Sequence, residues 1–391
     1  MADRKDMRSV LPTGQRRPRY RMDKLKRVDK PTTKITDAVQ RYDEREHAFA
    51  HTMKGDYGPV PQREIMRFVP KYPLGAAFAR MTMAMAEHLD GEVAPQKAPI
   101  PEDPQMLTEH IKSLGYFLKA DIVGVCELPE YAVYSHDIMG NPVELNHKYA
   151  IILIVDQDYD TMAGSTGDDW ISGSQSFIGY SNAALMSCIM ADYLRKLGYP
   201  SRAHNASGYQ VVLPPLLLLA GIGEMSRAGI VLNPYLGTRF KASVVTTDLP
   251  LVPDKPVDFG LQEFCEKCLK CSVECVSGAI PKGGKEMYNG YETWHFDSEL
   301  CAKFRVTNPH GNACGRCIKV CPYNKPKGLT HDFVRWMIRN TPWMDRLIVK
   351  MDDVWGYGQP EKKFKWWFDL EDVDGSLVIP KKSQDNGNEP A

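Results

Sequence analysis

The chain has 391 residues, 43% of them hydrophobic, and its 49 basic and 49 acidic residues cancel to a formal net charge of zero. That balance describes an ordinary globular protein with chain enough for a large core and an appended module, not a disordered segment, and it leaves no basic footprint for nucleic acid. The longest apolar run, residues 211–222, contains Pro214 and Pro215 and falls short of the roughly 18 residues a membrane span needs, so no transmembrane segment is expected.

The first 30 residues are polar and basic. Arg16-Arg17 has the look of a twin-arginine export signal, but Pro18-Arg-Tyr-Arg follows where an apolar stretch should stand. The expectation is a cytoplasmic protein, with a processed exported form as the alternative. Residues 1–104, rich in charge, Pro and Met, read as a wrapping arm with short helices, such as one within 36–51. They close in a linker marked by Pro95, Pro99, Pro101 and Pro104.

Residues 105–257 form the expected core. Ala-Ile-Ile-Leu-Ile-Val at 150–155 is a strand buried on both faces, and 241–247 is a second strand candidate. Residues 156–176 read as a polar loop. A helix over 181–197 should start at Ser181 or Asn182 and stop at Gly198 and Pro200. The alternation of strands and helices predicts an α/β (α+β) fold. A cysteine-rich module occupies 258–330. Residues 331–380, with Trp336, Trp343, Trp355, Trp366 and Trp367, should pack back on the core, and 381–391 reads as a disordered tail.

Eight of the ten cysteines fall in the module. Cys265-x2-Cys268-x2-Cys271-x3-Cys275 is followed by Cys301 and then by Cys314-x2-Cys317-x3-Cys321-Pro322. In such double runs three close thiolates share one 4Fe–4S cube, and the fourth ligates the other. Cys265, Cys268, Cys271 and Cys321 are therefore assigned to one cluster, and Cys275, Cys301, Cys314 and Cys317 to the second. Disulfides would need an oxidising compartment, and zinc sites tend to use separate C-x2-C pairs. Cys126 and Cys188 read as small core residues.

Two adjacent clusters form a one-electron wire, so the 250 or so residues before them should hold a second redox centre or a substrate site. No G-x-G-x-x-G follows a strand, which disfavours a nicotinamide or flavin Rossmann site. Gly221-Ile-Gly223 permits close backbone packing or, in the sharper reading, close approach to a large planar cofactor.

Residues 220–251, from Ala-Gly-Ile-Gly-Glu-Met-Ser-Arg-Ala-Gly through Asn-Pro-Tyr-Leu-Gly-Thr-Arg to Thr-Thr-Asp-Leu-Pro-Leu, resemble the stretch that precedes the clusters in corrinoid-dependent reductive dehalogenases. The cysteine runs follow that family's order, and the resemblance covers roughly 105–330. It implies a nitroreductase-like core burying a cobalamin-type corrinoid, joined to a ferredoxin-like module with two 4Fe–4S clusters. It also implies cleavage of carbon–halogen bonds of a small organohalide by Co(I). By order and spacing it places a proton-donating tyrosine at Tyr180, cationic partners at Lys241 and Arg305, and a weaker match at Asn205, with Gly221 and Gly223 beside the cofactor. Val276 departs from the family, which commonly has proline there. With no fused reductase domain seen, electrons should come from a separate low-potential ferredoxin- or flavodoxin-type donor. Two other readings stand beside this one. One is an epoxyqueuosine reductase-like corrinoid and iron–sulfur enzyme acting on tRNA. The other is a pure iron–sulfur electron-transfer subunit, which would contain iron and no cobalt.

Overall fold

In the computed structural model, residues 19–381 are described. The polar start of the arm and, save Lys381, the expected tail lie outside them. In chain order the elements are β1 (Lys26–Arg27), α1 (Ala48–Lys54), α2 (Pro59–Phe68), α3 (Pro73–Met83), α4 (Pro104–Phe117), β2 (Ile122–Glu127), β3 (Tyr149–Asp156), α5 (Tyr159–Gly164) and α6 (Ile171–Lys196). They continue with β4 (Ser201–His204), α7 (Leu213–Leu219), β5 (Glu224–Met225), β6 (Val231–Leu232), β7 (Phe240–Thr247), β8 (Val257–Asp258), α8 (Leu261–Cys268) and α9 (Lys270–Val273). The last are β9 (Glu286–Tyr288), β10 (Tyr291–Thr293), α10 (Ser298–Thr307), α11 (Arg316–Lys319), α12 (Leu329–Asn340), α13 (Asp345–Val354), β11 (Glu371–Val373) and β12 (Ser376–Val378).

A four-stranded sheet in the order β2-β3-β7-β4 organises this mixed α/β fold. Every pairing in it is antiparallel, with Ile152 opposite Val244 and Val155 opposite Lys241. The continuous apolar run of β3 suits a strand covered on both sides, and both sides are covered. Ile152, Ile154 and Val244 pack on Leu216 and Leu218 of α7, whereas Ile151, Leu153 and Val245 pack on α4 and α6 through Ile111, Ala191 and Leu194. Each such aliphatic side chain, removed from water, contributes about 1.5–3 kcal/mol. Cys126 and Cys188 lie buried on these two faces, as core residues.

The residues expected to loop up to Ser176 turn helical at Ile171, so α6 runs through Tyr180 without a break. Ser and Gly are weak helix formers, and no side chain caps its start. Packing overrides that preference. A Cβ on Gly173 would stand 2.9 Å from Asn312, and Gln175 donates from Nε2 to the carbonyls of Gln157 and Asp158. Ser181, expected as an N-cap, instead bonds Phe78 O and Thr82 of α3.

Residues 19–100 wrap the core. β1 pairs with β8, Arg41 donates to the carbonyls of Val133, Tyr134 and Val143, and α3 lies along α6. Helices α1 and α2 rest on α10. The segment expected to be helical within 36–51 is irregular until a short turn at 44–46, and α1 follows. Among the described residues no helix is long and apolar enough to cross a membrane.

Candidate active site and cluster module

Side chains alternate along β7, so Lys241 points to the same side as Ser243 and Val245, towards α6. Tyr180 comes from α6 to meet it: the Lys241 ammonium stands 4.8 Å from the centre of the Tyr180 ring. This approach needs a glycine. A Cβ on Gly179 would lie 2.8 Å from Lys241 Cγ and 3.1 Å from its Cβ, a clash next to the strand backbone. Tyr180 is half-buried, with its hydroxyl deep in the fold. The Lys241 charge holds that hydroxyl below the usual phenol range, against the upward pull of burial. Arg305 and a hydrogen bond with Lys241 act in the same direction.

Arg305 reaches this place from the cluster module. It lies on α10 four residues after Cys301, so thiol and guanidinium share a helix face. The guanidinium stacks over Phe49 and Phe68 of α1 and α2, at 5.0 and 5.8 Å. The arm thus fixes one of the cations that act on Tyr180. The same guanidinium is felt by the thiols of Cys301 and Cys314.

The module cysteines lie close enough to act on one another. Cys265, Cys268 and Cys321 act on one another and on Cys271, while Cys317 is flanked first by Cys314, Cys301 and Cys275. Burial pushes the Cys265, Cys271 and Cys317 thiols far up, Cys268 to about 12, and Cys314 and Cys321 to about 11. Buried thiolates at that cost require a cationic partner, and iron supplies one. A small cavity is lined by Cys265, Cys268, Cys271 and Cys321, with Cys317, Thr238 and Tyr323 among its other walls. The Thr238 and Tyr323 hydroxyls are buried with no hydrogen-bond partner. Donors left over beside thiols suit the sulfurs of an iron–sulfur cube.

The core grips the module at several points. Arg227, fully buried, donates to the carbonyls of Cys265, Pro281 and Gly283 and lies over Trp294. Arg239 pairs with Asp156 at 2.7 Å and bonds Asn324, three residues past Cys321. Gly237, at φ +62°, lets its turn lie against Tyr323 and turns Thr238 to the thiols. Gly315 N donates to Gly167 O at 2.6 Å, and Arg316 to Thr166 O, tying the start of α6 to the second cysteine run.

The other expected residues lie elsewhere. A Cβ on Gly221 would strike Arg27 and the Lys255 carbonyl at 2.1 and 2.2 Å, and one on Gly223 the Leu232 carbonyl at 2.1 Å. Contact between protein backbones accounts for both glycines. Asn205 is buried in a turn, donating to Ser187 and Cys188 and accepting from Ser207, so its amide is taken up within the protein. Gln157 was not expected. It packs beside Gly179, and its Oε1 is buried without a partner, as are Ser174 Oγ, Ser243 Oγ and Arg305 Nε. Unmet donors and acceptors around the Tyr180–Lys241 pair fit a cofactor rimmed with amides, as a corrinoid is.

Residues 264–325 match the 4Fe-4S dicluster domain family. The chain is 29% identical over 310 residues to a tetrachloroethene reductive dehalogenase of Sulfurospirillum multivorans, covering 70% of this chain and 61% of that one. A second tetrachloroethene reductive dehalogenase, from Desulfitobacterium hafniense, is 35% identical over 225 residues, 54% of this chain and 39% of its own. The structure of the catabolic reductive dehalogenase NpRdhA in complex with 3-bromo-4-hydroxybenzoic acid superposes with a TM-score of 0.90 at 40% identity, over 93% of this chain and 53% of that one. The chain thus spans about half to three-fifths of the length of the first of these relatives in sequence and in structure. With a match to the 4Fe-4S dicluster domain family and a likeness that runs along nearly its whole length, the chain is similar to the reductive dehalogenases, among them one whose structure suggests a B12-dependent mechanism.

Proposed function

We propose that this chain reductively dehalogenates small organohalides, with Tyr180 as the proton donor. The net reaction takes two electrons and one proton, replaces the carbon–halogen bond by a carbon–hydrogen bond, and releases halide. The corrinoid, when bound, would supply a low-valent cobalt as the reductant of the carbon–halogen bond, with the two clusters as the source of its electrons. The protein's own residues handle charge and protons. Tyr180 Oη carries a proton at neutral pH and gives it up where negative charge develops on carbon. Lys241 and Arg305 stabilise the tyrosinate left behind and attract an anionic substrate such as a halogenated phenolate or carboxylate. The buried setting strengthens both effects by excluding water.

One observation carries this reading: the Lys241 ammonium, 4.8 Å from the Tyr180 ring, acts with Arg305 on a buried phenol. The likeness to a dehalogenase seen with a brominated hydroxybenzoate supports a halogenated phenol as the first substrate to try. Tyr180→Phe should keep iron and cobalt and lose about 10²- to 10⁴-fold in turnover. A wild-type rate would remove Tyr180 from the mechanism. Protein that binds iron but no cobalt would point to an electron-transfer subunit.

A further inference from the structure

The module's two clusters are not equivalent towards solvent and site. Arg305, four residues after Cys301 on α10, is one of the cations that act on Tyr180, which places the Cys275, Cys301, Cys314 and Cys317 group on the side of the proposed reaction. The Cys265, Cys268, Cys271 and Cys321 group faces a different feature. An open groove of about 1070 Å³ runs between the arm and α12, and its floor is Tyr323 and Phe259. Tyr323 follows Cys321-Pro322 directly, and its ring meets Phe264, the neighbour of Cys265, edge to face at 5.5 Å. One layer of aromatic rings thus separates the groove from two cluster ligands.

The walls are cationic. Arg19, Arg21 and Arg335 are each paired with a carboxylate, those of Asp121, Asp23 and Asp332. Lys24, Lys327 and Arg339 add three exposed positive charges, and Asp332 is the groove's one acidic lining residue. At the rim Trp336 is 55% exposed and stacks on the exposed Phe333, an apolar anchor beside the charges. Aromatic anchors ringed by charge are typical of surfaces where a partner is steered electrostatically and held briefly. Residues 1–18 carry five basic and two acidic side chains, so this chain's own start does not complement the groove.

We infer that this groove docks a small acidic one-electron carrier of the ferredoxin type, which delivers electrons to the Cys265 cluster across Tyr323 and Phe259. In each encounter the reduced carrier loses one electron and that cluster gains one; no bond is made or broken. The inference rests on the two-cluster reading above, and it names the surface where the wire begins.

The test uses anaerobic holoprotein and a reduced acidic ferredoxin, with cluster bleaching followed by stopped flow. The triple variant Lys24→Glu, Lys327→Glu, Arg339→Glu should be reduced at least about tenfold more slowly at low salt, and its rate should lose most of its ionic-strength dependence. Reduction by a neutral photogenerated deazaflavin radical should be unchanged, as should iron content. Equal slowing with both reductants would mean general damage and overturn the assignment, as would an unchanged ferredoxin rate. Slowing by Lys303→Glu, on α10 two residues after Cys301, with none from the triple variant would move the docking face to the other cluster. A groove dependence seen with flavodoxin and not ferredoxin would overturn the choice of carrier. Loss of both cluster signals in the unmutated protein would instead refute the two-cluster reading itself.

Discussion

Gly179→Ala places one methyl group at the point where α6 touches β7. The new Cβ would lie 2.8 Å from Lys241 Cγ, 3.1 Å from Lys241 Cβ and 3.4 Å from Gln157 Cγ. Ordinary carbon contacts begin near 3.5 Å, so the first overlap is about 0.7 Å. It cannot be relieved cheaply, because Cβ and Cγ move only with the strand or with a new rotamer. Alanine in a helix interior gains about 1 kcal/mol over glycine, and overpacking costs about 1–3 kcal/mol. Net stability should therefore change by no more than about 2 kcal/mol. The rate should suffer more, since the adjustment swings the Lys241 ammonium away from Tyr180, and misplacement by about 1 Å can cost about 10²-fold. Thermal unfolding, iron and cobalt content and turnover of a brominated phenol are to be measured on the same preparation. Near-native stability and metal content with turnover down about 10²-fold is the expected result. Full turnover would refute the view that the Lys241–Tyr180 contact is part of the reaction.

Lys241→Gln removes the charge that depresses Tyr180. Protonated Tyr180 is the active form, so activity falls as pH rises through its pKa; the alkaline limb of kcat/KM should move to higher pH in the variant, on a lower plateau, and an unmoved limb would mean that another group titrates. Cys301→Ala should halve the iron, from about eight to about four per chain, and spare the cluster held by Cys265, whereas unchanged iron would show that Cys301 is not a ligand. Thr238→Val keeps the side chain's shape and deletes an unpartnered buried hydroxyl beside the Cys265 group. Hydrogen bonds to sulfur favour the more negative reduced cluster, so one wave in an EPR-monitored redox titration should shift to lower potential while the other stays; two unmoved waves would mean that Thr238 does not reach the sulfurs.

The sequence by itself determined what local pattern can encode. The cysteine spacing marked a double-cluster module, and residues 264–325 match the 4Fe-4S dicluster domain family. An unbroken apolar run marked β3, which the structure extends by one residue at each end. Local pattern failed where distant chain decides. Residues 171–176 read as loop because Ser and Gly favour none of the regular structures strongly, and they are helical because Asn312, Gln157 and the arm pack on this stretch. Gly221 and Gly223 signalled a close approach, but only the fold shows that the approaching atoms are those of Arg27, Lys255 and Leu232. Alternating strands and helices did not reveal that the sheet is wholly antiparallel, since strand direction follows from connections. The site itself is the clearest case. Tyr180, Lys241 and Arg305 come from a helix, a strand and the cluster module, and Phe49 and Phe68 of the arm hold the third in place. Sequence periodicity gives the face of each element; which faces meet is set by packing across residues that lie far apart in the chain.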